Sequence, residues 1–287
     1  QDLRFTSDSA GTTELCFEIV KWDTTNDKAE VWVKIPTLSY TTDTNFYVWY
    51  DNDSATAYAA DATYGSQAVW SNGYVGVWHL NESGNGTVGE YKDSTSTTND
   101  GRGGGGNSSY VPTAVDGKIG KGQDLDGNDF IIMESAPVTG SGVRTITAWI
   151  KPDDASGTEH IIGWGSRSTA HLYELDKSNS TFIFIGYGNE YTTNLSFSTT
   201  DWNFYGCRQS DTTFGSIDFF LNTNWDKSWS NTNTVDTGTV ALTIGREPVN
   251  NDCYYSGLID EIHISNVART DGWIATEYNN QSNPATF

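Results

Sequence analysis

Apolar residues in this chain recur at every second position or in short unbroken runs. The three-to-four spacing of an amphipathic helix is nearly absent. Gly, Asn, Asp, Ser and Pro separate the runs, as expected of an antiparallel sandwich. Over residues 13–20, Leu15, Phe17 and Ile19 share one face, and Glu14, Cys16 and Glu18 the other. Over 30–35, Val31, Val33 and Ile35 alternate with Trp32 and Lys34 until Pro36 stops the run. A third strand is predicted at 45–50. Residues 55–73, rich in Ala, Ser, Tyr and Asp, read as the connection to a second unit that opens with a strand at 74–80. Further strands are predicted at 130–133, 145–151, 160–164, 171–176, 181–187, 202–208, 217–221, 240–245 and 257–265. Between the first of these and 74–80 lies a polar stretch, 81–110, with four glycines at 103–106. A run of that length is either a segment that holds an ion or ligand or a floppy insertion. One helix is predicted, near the end. Thr270 would cap it, Asp271 suits its positive end, and Ile274 and Tyr278 stand one turn apart.

Composition narrows the function. Lys and Arg number 16 against 37 Asp and Glu, a net charge of −21 over 287 residues. Nucleic-acid binding needs clustered cations, and the chain has none. The apolar runs are too short for a transmembrane helix. Position 1 is Gln with no basic-then-apolar leader behind it, which reads as a mature product or a fragment. Aromatics make up 13% of residues, enough for a core and against disorder. Cys16, Cys207 and Cys253 form no CxxC motif. Cys207 and Cys253 could pair across neighbouring strands, or all three could be small buried hydrophobes.

Several motifs, in order, carry a resemblance. They are Val77-Trp78-His79-Leu80 with Glu82, Asp93-Ser94 leading to Gly101, Asp126-Gly127 with Asp129, the strand Thr147 to Pro152, Thr243-Ile244-Gly245-Arg246, and the close from Gly257 through Asp260-Glu261 to Arg269 and Trp273. Together they resemble a laminin-G-like, concanavalin A-like jelly roll over residues 73–287. Residues 1–72, with Asp2 to Thr6, Trp22, Val31 to Pro36 and 47–52, resemble an uncharacterised small β domain that often precedes it. That domain usually carries a strand or two before the Asp2-Leu3-Arg4-Phe5 segment, so here it reads as trimmed or completed by another segment or subunit. The expected fold is all-β: an antiparallel jelly-roll β-sandwich with a smaller N-terminal β unit and one short C-terminal helix.

The resemblance also raises glycan hydrolysis, which in its retaining form needs two carboxyls about 5–5.5 Å apart. Glu174 and Asp176 begin the sandwich-glycanase pattern on one strand face, but Lys177, Ser178 and Asn179 follow where the second Glu belongs. The two acids are read as a solvated strand face. Asp260 and Glu261 are adjacent and point to opposite faces. His171 and Tyr173 share a strand face without a lyase motif around them. For calcium, Asp93, Asp126 and Asp129 offer loop or turn carboxylates. The resemblance implies that Asp93 and Asp260 approach one structural ion, with ordinary turn and cap roles as the competing account. For sugar, flat rings and polar side chains coincide in loops at Trp164, Tyr187, Tyr191, Trp225, Trp229, Arg246, Tyr254 and Tyr255, while Trp149, Trp202 and Trp273 read as packing residues. Sequons stand at Asn81, Asn85, Asn107, Asn179 and Asn194.

The expectation is a non-catalytic carbohydrate-binding or adhesion module of a secreted, cell-surface or virion-surface protein, with a structural calcium and a glycan partner. The alternative is a structural subunit of a surface layer, filament or virion, joined to its own copies through residues 1–72. An enzyme is the least favoured reading.

Overall fold

A computed structural model of the chain describes residues 2–39 and 41–284. It divides into two compact units, 1–72 with 94–96, and 73–93 with 97–287.

In the first unit, two small antiparallel pairs form: Arg4–Thr6 with Tyr47–Trp49, and Phe17–Asp23 with Lys28–Val33. Phe5, Leu15 and Phe17 are its buried centre, with Ile19, Val31, Val33 and Ile35 packed against them. The alternation read over 13–20 and 30–35 therefore places the right side chains inside. The strand itself starts later than expected, at Phe17, and continues through Trp22 to Asp23. The connecting segment also contains a one-turn helix, Ser66–Val69, which has no helical periodicity to announce it.

The second unit is the jelly roll, built of two antiparallel sheets. In the eight-stranded sheet the order is Asn224–Asp226, Ile217–Leu221, Asn203–Gln209, Arg144–Pro152, Ser256–Ser265, Lys121–Asp126 and Thr113–Asp116, with Tyr74–Trp78 also paired to Ser256–Ser265. The seven-stranded sheet runs Glu190–Ser196, Thr181–Ile185, Leu172–Ser178, Thr158–Gly165, Thr243–Ile244, Ile131–Met133 and Gly101–Gly103. Inward residues of both meet in one core: Ile146, Ile150, Tyr205, Cys207, Phe219, Ile262 and Ile264 from the first, and Trp164, Tyr173, Leu175, Phe182, Phe184 and Met133 from the second. Phe182 and Tyr205 stack across it with ring centroids 3.7 Å apart.

The outer face of the eight-stranded sheet is covered by the helix Asp271–Ser282, whose cap Thr270 accepts a hydrogen bond from Trp273 N at 3.1 Å. Ile274 and Tyr278 pack on Trp149, Phe204 and Phe220. Trp202 joins this cluster as expected. Trp273 does not: it is 38% exposed, with the Arg269 guanidinium 4.3 Å above its ring.

The stretch 81–110 is neither floppy nor a bare loop. Glu90 accepts hydrogen bonds from the backbone N–H groups of Asn85, Gly86, Thr87 and Gly103. Tyr91 is fully buried, and it exchanges two backbone bonds with Gly101. Carboxylates and amides thus supply the order that apolar patterning could not signal.

Candidate functional site

The outer face of the seven-stranded sheet follows from strand register. Leu172–Ser178 sends Tyr173 and Leu175 into the core, so Glu174 and Asp176 face outward. Opposite them lie Gly163 and His160 on one side and Ile185 and Ile183 on the other. Gly163 pairs onward with Thr243, Thr243 with Ile132, and Ile132 with Arg102.

Glu174 and Asp176 are not solvated. They are 1% and 2% exposed, and His160 on the neighbouring strand Thr158–Gly165 is fully buried. His160 Nδ1 lies 3.0 Å from Asp176 Oδ1 and 3.8 Å from Glu174 Oε1. Gly163 is needed beside them: a Cβ there would stand 2.7 Å from Glu174 Cγ and 2.8 Å from His160 Cε1. The segment 246–254 runs alongside, with the Cys253 carbonyl accepting from His160 N at 2.7 Å. From this segment Glu247, 2% exposed, takes the Arg167 Nε–H at 3.2 Å. Burial, then Asp176 and Glu247, push the Glu174 carboxyl up to about 10, with Arg167 opposing. Asp176 is also raised by burial, with His160 opposing. Two buried carboxyls thus lie with one imidazole, their ligand atoms within 4.8 Å of one another, a grouping that stores a proton or holds a cation. Sequence reading had both acids on the right strand face but could not see what covers that face.

At the rim of the same sheet the Arg246 guanidinium stacks on Phe130, 3.6 Å from its centroid. Tyr110 stacks on Phe130 at 6.3 Å and Tyr254 tilts against it at 6.2 Å. Tyr110 is 42% exposed, and Arg246 Nε is buried without a hydrogen-bond partner. Of the eight expected sugar contacts, Arg246 and Tyr254 meet at this rim, both against Phe130. Tyr187 is exposed in the turn between Thr181–Ile185 and Glu190–Ser196, apart from that rim. Trp164 and Tyr255 are fully buried core residues and cannot meet a ligand. Tyr191 and Trp229 stack on each other at 5.2 Å against the core, and Tyr191 Oη is bonded to Asp226. Trp225 packs on Phe220, with Arg208 and Lys227 over its ring at 4.8 and 4.3 Å. Tyr110, absent from the expectation, has no local signal: it lies in the polar stretch, and only folding carries it to Phe130.

The aspartates expected at calcium make hydrogen bonds of their own. Asp93 accepts from Val77 N, Asn99 N and Thr97 Oγ1 at 3.0, 2.9 and 2.7 Å. Asp260 accepts from Lys118 N, Ile119 N and Glu261 N at 2.6, 2.9 and 2.7 Å. These hydrogen bonds are the turn and cap roles that compete with the calcium account for Asp93 and Asp260. It is Asp93 itself, by direct hydrogen bonds, that ties 97–99 to the first strand of the sandwich. Asp126 and Asp129 sit in one turn, with Asp126 N donating to Asp129 at 3.3 Å. Burial and then Asp126 raise Asp129 to about 6. The cysteines are free, Cys207 buried and Cys253 exposed, so they form no disulfide.

A second buried polar network lies under the helix. His79 Nδ1 meets Glu261 at 2.8 Å, Glu261 meets His263 Nε2 at 2.9 Å, and His263 Nδ1 meets Glu277 at 2.9 Å. A β-bulge in Ser256–Ser265 puts Glu261 at φ +49° and turns it into this line.

The family model described as the concanavalin A-like lectin/glucanases superfamily matches residues 125–275, and that of a domain of unknown function, DUF2341, matches 1–67. No curated protein matches. Domain 4 of AbnA, a GH43 extracellular arabinanase from Geobacillus stearothermophilus solved with arabinotriose, is 22% identical, with a TM-score of 0.55 over 71% of this chain and 97% of that one. Trypanosoma rangeli sialidase with sialic acid is 15% identical, with a TM-score of 0.52 over 74% of this chain and 33% of that one. A botulinum neurotoxin type C chain, described as entering cells through two ganglioside molecules, is 13% identical at 0.50, over 75% and 53%. This chain thus spans a third to a half of the sialidase and neurotoxin chains, and the likeness to all three is one of fold. The chain belongs to the concanavalin A-like lectin/glucanase superfamily.

Proposed function

We propose that this member of the concanavalin A-like superfamily is a non-catalytic module that binds neutral glycan outside the cell, at the rim formed by Tyr110, Phe130, Arg246 and Tyr254. The observation that carries the reading is the half-buried Arg246 guanidinium 3.6 Å over the Phe130 ring, on which Tyr110 and the partly exposed Tyr254 also pack. Rings of this kind stack on the apolar face of a sugar, and a guanidinium beside them donates to hydroxyls. Glycan-binding structures with the same fold, among them the arabinanase domain solved with arabinotriose, support the reading. The net charge of −21 disfavours acidic glycans. The sandwich's Glu174 and Asp176 are buried rather than set in an open cleft, which favours binding over hydrolysis. No helix among the described residues is long and apolar enough to cross a membrane.

A glycan array that includes arabino-oligosaccharides is expected to give a neutral ligand. Arg246→Ala and Tyr254→Ala should each weaken it about tenfold, the equivalent of about 1.4 kcal/mol. An array without a hit, or affinity unchanged in both variants, removes this reading.

A second reading, self-assembly through the N-terminal unit, has its own observation. Phe46, Tyr47, Val48, Trp49 and Tyr50 are all exposed, on a sheet of only two strands. A hollow of about 270 Å³ lined by Leu15, Ile35, Pro36 and Phe46 adjoins them. Such a strand invites pairing with another chain. Sedimentation should show association that rises with concentration and is lost in Tyr47→Lys/Trp49→Lys. A monomer at every concentration would exclude it.

A further inference from the structure

We propose that His160, Glu174 and Asp176 form a binding site for one zinc ion, buried against the outer face of the seven-stranded sheet. The ligand-bearing atoms of the three residues all lie within 4.8 Å of one another. His160 Nδ1 is 3.0 Å from Asp176 Oδ1 and 3.8 Å from Glu174 Oε1. Those two separations bracket the spacing of about 3.3 Å that tetrahedral ligands keep when each is about 2.0 Å from zinc.

Two further observations point to a missing partner at the centre. Glu174 Oε1 is buried and accepts no hydrogen bond. An orphaned carboxyl oxygen in a residue 1% exposed is costly, and a cation between it and the neighbouring ligands removes that cost. The second is the orientation of His160. Thr243 Oγ1 lies 3.4 Å from the Gly163 carbonyl and 3.5 Å from His160 Nε2. The ring thus turns Nδ1 toward the two carboxyls and Nε2 toward a hydroxyl, and zinc at Nδ1 would select the tautomer with hydrogen on Nε2. Gly163, where any Cβ would collide with both Glu174 and His160, keeps the space open for this packing.

One imidazole and two carboxylates suit zinc, with a water completing four ligands. Calcium wants six to eight oxygens, and these three residues do not supply them. His79, Glu261 and His263 also lie together, but there the Glu261 carboxylate is already bonded to a nitrogen of each histidine, at 2.8 and 2.9 Å.

Because the cluster is buried, loading is tested by refolding. The full chain is unfolded with chelator, refolded with or without zinc chloride, and desalted, and its metal content is measured by mass spectrometry beside its melting temperature. Wild type should retain one zinc per chain and melt higher with zinc than without. Glu174→Gln, which matches the neutral acid in shape, and Asp176→Asn should each bind at least about 100-fold more weakly. In chelator, Glu174→Gln should melt as wild type does, showing that it folds. Wild type that keeps no zinc, or variants that keep as much as wild type, would overturn the assignment. Unchanged glycan binding in Glu174→Gln would leave the sugar rim standing, so the two readings fail separately.

Discussion

Glu261→Ala should destabilise the jelly roll by about 3–5 kcal/mol, because it strips the shared partner from two buried histidines. Glu261 is fully buried, and His79 and His263 both point at its carboxylate. Burial opposes its ionisation, yet the two histidines hold it down to about 2. Burial likewise opposes a charge on His263, but its bonds to Glu261 and Glu277 lift it above its ordinary 6.5. The helix depends on the same line, since Glu277 also accepts from Thr147 Oγ1 at 2.9 Å. Urea unfolding of the variant measures the effect, and a loss under about 1 kcal/mol would show that the network is an idle one.

The pH dependence has a definite sign. Glu261, lowered in the folded state, contributes stability that is complete above its ordinary 4.5 and disappears as pH falls toward about 2. His263, raised in the folded state, contributes stability that is complete below 6.5 and disappears as pH climbs through its higher folded value. The stability difference between wild type and His263→Gln should therefore be widest from about pH 4.5 to 6.5 and shrink on both sides. Taking the difference between the two proteins cancels the neighbouring Asp260, which burial and then Glu261 push well above the ordinary carboxylate range. A difference that is flat with pH would contradict the assignment of His263 as a cation.

Trp164→Ala should cost about 3–5 kcal/mol of stability, the range for emptying a large aromatic site in a close-packed core. Trp164 is fully buried and stacks on Tyr173 at 5.3 Å and 25°. Its Nε1 donates to the Val138 carbonyl at 2.6 Å. Arg144, fully buried as well, lies 4.5 Å from the Tyr173 ring and donates to the Val138, Gly140 and Gly142 carbonyls. Truncating the indole opens a cavity and removes a bond from the turn that Arg144 organises. At concentrations where the variant stays folded, its glycan affinity should match wild type, whereas Tyr254→Ala should show the opposite pattern. Reduced affinity in folded Trp164→Ala would return that residue to the binding surface.

The contrast between these two aromatics shows how far the chain could be read directly. Period-two alternation placed Leu15, Phe17, Ile19, Val31 and Val33 on the buried side, because a strand alternates its side chains whatever lies above it. The Thr270 cap and the Ile274–Tyr278 pair marked the helix, because capping and one-turn spacing are local. Short polar strands such as Gly101–Gly103, Thr113–Asp116 and Glu190–Ser196 went unseen, since their order comes from hydrogen-bonded neighbours far along the chain. Loop polarity misplaced Trp164 and Tyr255, because a ring near a turn can point inward as readily as outward. Asp93 and Asp260 read as ion ligands because the same carboxylate that binds a cation also accepts backbone N–H groups. Only the folded backbone shows which N–H groups it meets.

Alternation, turn residues and a set of motifs in order thus determined by themselves that this is a two-unit, all-β chain with a concanavalin A-like sandwich. Those signals are local or nearest-neighbour, and they survive without coordinates. The tertiary structure decided which surface can act. It buried Glu174, Asp176 and His160 together, drew Glu261 between two histidines through a bulge, and carried Tyr110 to Phe130 beside Arg246 and Tyr254. Each of these groupings joins residues from different strands or loops, so its chemistry exists only once sheet register and loop packing have set the distances.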